Sequence, residues 1–138
     1  MITFYSIAHF RIRLANLLAI KRGVYAGVEQ EICNEFCDTS MDKILTNRDL
    51  ILLDDPLIVI KLRLPDRKHK LSKKDGFRLI YMTYKKSEKV VFIDVYPKNG
   101  PSQQLDISDS DLLDLLGQYS DEAESGNLFL HNINSGSL

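Results

Sequence analysis

The chain has 138 residues, 44% of them hydrophobic, which suits one globular domain with a sizeable core and makes a second domain unexpected. No apolar run approaches the ~18 residues that a membrane span requires, and the opening M-I-T-F-Y-S-I-A-H-F lacks the basic start and apolar centre of a secretory signal. A soluble, cytoplasmic protein without a membrane partner is therefore expected. The formal net charge of -1 conceals an asymmetry: residues 61–98 carry 12 Lys or Arg against 4 Asp or Glu, and no Lys or Arg follows Lys98.

In chain order, T-F-Y-S-I reads as a first strand. Phe10, Leu14, Leu17 and Leu18 then recur at the spacing of an amphipathic helix ending near Gly23, and Val24, Val28, Ile32 and Phe36 mark a second helix, so the two predict a helical hairpin. Cys33 and Cys37 would share a face of that second helix as reduced, half-buried thiols. With His9, His69 and His131 scattered, no zinc site or other metal is expected. Residues 38–49 are mixed and polar, a connection or a frayed helical extension.

From Asp49 the period changes to that of strands, L-I-L-L and then L-I-V-I-K-L-R-L, bounded by Pro56 and Pro65. Ile58, Ile60, Leu62 and Leu64 point one way and Lys61 and Arg63 the other, giving a half-buried strand with a basic outer face. F-R-L-I-Y-M-T-Y and V-V-F-I-D-V-Y follow, joined by the hairpin-length K-K-S-E-K. Val91, Ile93 and Val95 are expected against the helices, leaving Phe92, Asp94 and Tyr96 on the open face, with Asp94 either orienting an arginine or, as the commoner arrangement, paired to Lys89. Ser108 is the N-cap of a short closing helix, with Asp111 at the capping-box position and Ile107 as its staple. The Ser-, Asn- and Gly-rich remainder predicts partial disorder. The sum is an α+β protein: an N-terminal strand and a helical hairpin packed on a three to four stranded antiparallel sheet, with a short C-terminal helix.

K-H-K-L-S-K-K-D-G-F-R, residues 68–78, concentrates the positive charge in a loop that leads into a strand. Such a centre marks a polyanion partner, nucleic acid first, although a run of lysines is more commonly a solvated face. Gly76 supplies backbone freedom for the turn, and Arg78 projects at the start of the next strand.

At these residues the sequence resembles the RelE/ParE superfamily of bacterial type II toxins, closest to the RelE and HigB branches. The resemblance is carried by I-K-L-R-L, the basic loop, G-F-R-L-I-Y, V-V-F-I-D-V-Y-P-K-N-G-P and the acidic, Leu-rich helix after them, roughly residues 50–117. The chain departs from the family in keeping only Gly76 in a usually Gly-rich loop, and in having Pro97 and Gly100 around its Tyr-x-Lys-Asn end. The resemblance implies a toxin domain over residues 1–117 with a β-α-α-β-β-β plan, followed by an acidic, polar tail over residues 118–138. It also implies a metal-independent endoribonuclease without cofactors that cleaves mRNA, on the ribosome or free, and is silenced by a cognate antitoxin protein. On that reading Arg78 grips the scissile phosphate, one of Lys70, Lys73 and Lys74 neutralises it or takes the 2′-OH proton, and Tyr96 stacks on a base or donates a proton. Lys61, Arg63, Arg67, Lys68, His69 and Lys98 would hold flanking RNA, with His69 not expected as the essential base. Two alternatives stay open: a ParE-like gyrase inhibitor, and a non-catalytic RNA-binding module that stacks bases on Phe77, Phe92 and Tyr96.

Overall fold

Apolar side chains dominate 57–64, 77–84 and 90–95, and a segment apolar on both faces must be covered on both. The computed structural model describes residues 1–46, 49–54, 56–84, 86–136 and 138. Residues 47, 48, 55, 85 and 137 fall in the expected connection, the strand boundary, the K-K-S-E-K turn and the tail, and lie outside the described residues. The strands are β1 (Thr3–Ser6), β2 (Leu50–Asp54), β3 (Leu57–Leu64), β4 (Phe77–Tyr84), β5 (Ser87–Pro97) and β6 (Phe129–His131). The helices are α1 (Ala8–Ala19), α2 (Val28–Phe36), α3 (Met41–Leu45) and α4 (Asp109–Glu124). The protein is α+β, as its patterning predicts, but the sheet is a six-stranded mixed one and not a three to four stranded antiparallel one. Its order is β2-β3-β4-β5-β1-β6, with β1 parallel to β5 and β6 antiparallel to β1.

One face of the sheet is closed by α2. Phe36 meets the rings of Phe4, Tyr81 and Phe92 with centroids 5.7, 5.2 and 5.4 Å away, and removing a ring buried in this way costs about 3–5 kcal/mol. Phe92 thus belongs to the helix-covered face, contrary to the expectation that it shares the open face with Asp94 and Tyr96. The cause is a bulge: Tyr81 pairs with Phe92 but Ile80 with Asp94, so Ile93 is an extra residue and the alternation reverses there. The two helices also depart from a simple hairpin. α1 lies beside the half of β5 that extends past β1, where the Ile7 amide donates to Phe92 O at 3.2 Å and Arg13 Nε to Val95 O at 3.3 Å. Between them Arg22 and Gly23 both take positive φ, 67° and 63°, which starts α2 only at Val28. Val24 therefore sits outside the helix, and Leu18 is exposed. Cys33 is buried but Cys37 exposed, because α2 ends at Phe36 and Cys37 is already extended.

The other face is covered by α4. Ser108 caps it by accepting the Asp111 amide at 3.1 Å, and Leu112, Leu115 and Tyr119 form its buried stripe. The expected short helix runs 16 residues, and the segment from residue 118 is not a detached tail. Glu122 accepts the Ala8 amide at 2.9 Å, supplying a carboxylate to the N-terminus of α1, whose N-cap residue Ile7 has no side-chain acceptor. Beyond it β6 pairs with β1 and Ile133 is buried. One carboxylate, a strand pairing and a buried isoleucine thus hold in place a C-terminal segment whose composition alone reads as disordered.

Candidate functional site

Pairing of β3, β4 and β5 brings the basic strand residues together. Arg63 stands opposite Arg78 and Arg78 opposite Tyr96, a row of three across the sheet on the face away from α2. Lys61 lies two residues from Arg63 on that same face. Like charges directly opposite on a sheet repel. Accordingly, burial first and Arg63 second lower the Arg78 guanidinium pKa from its ordinary value.

Arg78 is only 7% exposed. Its Nη1 donates to Lys73 O at 2.8 Å and to Phe77 O at 3.2 Å, and its Nη2 to Lys74 O at 3.0 Å. It therefore differs from the open bidentate phosphate grip expected from the sequence: most of its donors are spent on carbonyls, and it acts first as the anchor that fixes Lys73 and Lys74 at the edge of this face. The side chains of Lys70, Lys73 and Lys74 are exposed. Lys70 holds a left-handed backbone, φ 57°, where the loop reverses. Gly76 is needed for closeness and not for its torsions, since a Cβ there would stand 2.1 Å from Leu64 O and 2.8 Å from Pro65 C.

Tyr96 is fully buried, with its hydroxyl 3.4 Å from Asp106 Oδ1. Burial and the nearby Asp106 carboxylate raise its pKa well above the ordinary phenol value, so it stays a neutral donor. The same Asp106 oxygen lies 3.1 Å from Lys61 Nζ and accepts the Ile107 amide at 2.8 Å. Partial burial works against the Asp106 carboxylate, but the Lys61 and amide bonds outweigh it and hold its pKa below the usual carboxylate value. Lys98 donates to Leu105 O, so the segment between β5 and α4 is tied across the basic row at two points. Asp106 sits where an external anion would meet Lys61 and Tyr96.

The remaining predicted contacts turn the other way. Arg67 Nη1 pairs with Glu31 Oε1 at 2.6 Å and its amide with Glu31 Oε2 at 2.8 Å, against a carboxylate only 5% exposed on α2. His69 Nδ1 meets Asp66 Oδ2 at 2.9 Å, and Lys68 lies beside Gly27. The eleven predicted residues thus divide. Lys61, Arg63, Arg78 and Tyr96 share one sheet face, with Lys73, Lys74 and Lys98 at its margin, whereas Arg67, Lys68 and His69 sit on the α2 side of the loop and Lys70 stands at the left-handed reversal that follows them.

Sequence reasoning missed a polar cluster on α1. Asp94, buried in β5, binds His9 Nε2 at 3.1 Å, Arg13 Nε at 3.5 Å and the Val95 amide at 2.9 Å. Lys89, its expected partner, instead lies over the rings of Tyr5 and Tyr119. The available signal was a single carboxylate inside V-V-F-I-D-V-Y, a position that demands a buried partner. Among the described residues, no group of His, Cys, Asp and Glu is arranged to hold a metal ion, and no helix is long and apolar enough to cross a membrane. No family model, no curated protein and no solved structure matches the chain.

Proposed function

We propose that the chain is the toxin of a type II toxin-antitoxin pair, a RelE/HigB-like endoribonuclease that acts on mRNA in the cytoplasm and is silenced by a cognate antitoxin. The observation that carries this reading is the cationic row itself: Lys61, Arg63 and Arg78 beside Tyr96 on one sheet face, with Lys73 and Lys74 anchored at its edge.

In the proposed reaction the 2′-OH of one nucleotide attacks the neighbouring phosphorus, and the bond from phosphorus to the 5′-oxygen breaks. A 2′,3′-cyclic phosphate and a 5′-hydroxyl end remain. Arg63, Lys73 and Lys74 hold the charge that accumulates on the five-coordinate phosphorus, and Arg78 positions them and adds its own field. A lysine of the 70–74 loop takes the 2′-OH proton, and the neutral Tyr96 phenol supplies one to the departing 5′-oxygen. Because Tyr96 is buried under Asp106, RNA must displace that carboxylate to reach it.

Induction in a bacterial host with transcript-end mapping tests the reading. New 5′-hydroxyl ends inside coding regions are expected, together with growth arrest that is relieved when Arg63, Lys73 and Lys74 are all changed to Ala. Intact transcripts with gyrase-linked double-strand breaks would replace this activity by that of the gyrase-inhibiting branch. Intact transcripts and unimpaired growth would remove the toxin reading altogether.

A further inference from the structure

His9 and Arg13 are four residues apart on α1, and Asp111 and Asp114 three apart on α4, so each pair leaves its helix on one side. Together they line a cleft of about 250 Å3 that also exposes Asp94 of β5. One wall thus brings a guanidinium and the other two carboxylates. The volume is below the ~300–1,000 Å3 of drug-sized sites, which suits a molecule the size of one amino acid.

The charge of Asp94 is answered from within the protein. Its side chain is only 4% exposed, and its Oδ1 meets His9 Nε2 at 3.1 Å, the Val95 amide at 2.9 Å and Arg13 Nε at 3.5 Å. Arg13 is held in place by Val95 O, 3.3 Å from Nε, and by Gln104 Oε1, 2.9 Å from Nη2. Its Nη1 donates to none of the described residues, and its side chain stays 30% exposed. Across the cleft Asp114 Oδ2 accepts Gln118 Nε2 at 3.2 Å, while Asp111 and Asp114 are both exposed. Arg13 is ion-paired with Asp94 and with neither of them. Opposite charges therefore share one cleft without meeting, because Arg13 is tethered to β5 and to Gln104.

A ligand with a carboxylate for the guanidinium and an ammonium for the facing carboxylates completes both walls. An anion alone would meet Asp111 and Asp114, and a cation alone would leave the free donor of Arg13 unanswered. A metal ion does not fit, since no group of described residues is arranged to hold one. Two carboxylates stand against one guanidinium, which favours a second ammonium on the ligand. Their Cβ atoms, three residues apart on a helix, lie about 5–6 Å from one another, within the span of a short aliphatic chain. Ile107 and Leu115 also line the cleft and offer apolar contact to such a chain. We infer that this cleft binds an α-amino acid with a basic side chain, of the lysine or ornithine type, its carboxylate on Arg13 and its two ammonium groups on Asp111 and Asp114. The inference uses none of the residues assigned to RNA and stands independently of that reading.

Isothermal titration calorimetry of the full chain at low salt tests it with three probes. L-lysine carries all three charges, L-norleucine lacks the side-chain ammonium, and cadaverine lacks the carboxylate. Lysine is expected to bind, and each of the other two about tenfold more weakly. The double variant Asp111→Asn, Asp114→Asn keeps the size of both exposed side chains and should weaken lysine by about tenfold or more while its circular dichroism matches the wild type. Absence of lysine binding to the wild type overturns the site. So does cadaverine binding as tightly as lysine, which would make the α4 wall an unselective collector of cations, or norleucine binding as tightly, which would leave the second ammonium without a partner. Unchanged lysine affinity in the folded double variant overturns it as well. None of these results bears on RNA cleavage, which transcript-end mapping decides separately.

Discussion

Removing the Asp106 carboxylate should strengthen RNA binding, because that group occupies cations the substrate needs. Its oxygen is 3.1 Å from Lys61 Nζ, and the Asp106 side chain is 61% exposed. Water therefore screens the pair to the ~0.2–1 kcal/mol typical of surface ion pairs. At the upper end Asp106→Ala tightens binding of a noncleavable RNA by about fivefold at low salt. Freeing one cation to meet a phosphate also steepens the dependence of log K on log salt by ~0.7 for a single strand. Between 50 and 200 mM salt that slope removes about 2.5-fold of the advantage. Anisotropy titrations of the wild type and Asp106→Ala over this range give both quantities, and adding Lys61→Ala should cancel the gain. The variant loses the Ile107 amide bond as well, so its stability should fall by about 1 kcal/mol. Parallel salt plots with equal affinities, or a gain that persists without Lys61, would refute the idea that Asp106 stands in for an anion.

Gly76→Ala should destabilise the fold by about 2 kcal/mol or more, since the new Cβ would meet the backbone of Leu64 and Pro65, which has no rotamer with which to yield; an unchanged urea midpoint would contradict the close approach. Glu31→Gln removes the charge that holds Arg67 to α2. Amide exchange over residues 66–71 should rise and stability fall by about 1.5–3 kcal/mol, and identical exchange would show that the loop needs no such tether. His131 is buried beside Ser6 and Arg11, and burial first, then Arg11, pushes its pKa from 6.5 down to about 4. As pH falls, the unfolded chain takes up this proton first, so the group's contribution to stability is present above pH ~6.5 and is lost by pH ~4, up to about 3 kcal/mol in all. His131→Gln should flatten that part of the pH profile, and an unaltered slope between pH 6.5 and 4 would show that the imidazole is not excluded from charging.

Local pattern determined much of this protein. Alternation in I-K-L-R-L set which side chains at the end of β3 are buried, the Ser108 cap placed the start of α4, and charge counting located the cations on 61–98. These features are legible because each depends on residues a few positions apart. What only the tertiary structure decided depends on contacts between distant segments. The extra residue at Ile93 reversed the faces of β5 and carried Phe92 into the core. Cross-strand pairing set Arg63 against Arg78 and Tyr96, while the loop's carbonyls consumed the donors of Arg78. The acidic C-terminal third reads as solvated polar sequence, yet Asp106, Glu122 and His131 find partners on Lys61, α1 and Ser6. Sequence can give the number of charges on each segment, but a charge acquires its role from whatever the fold places within about 3 Å of it.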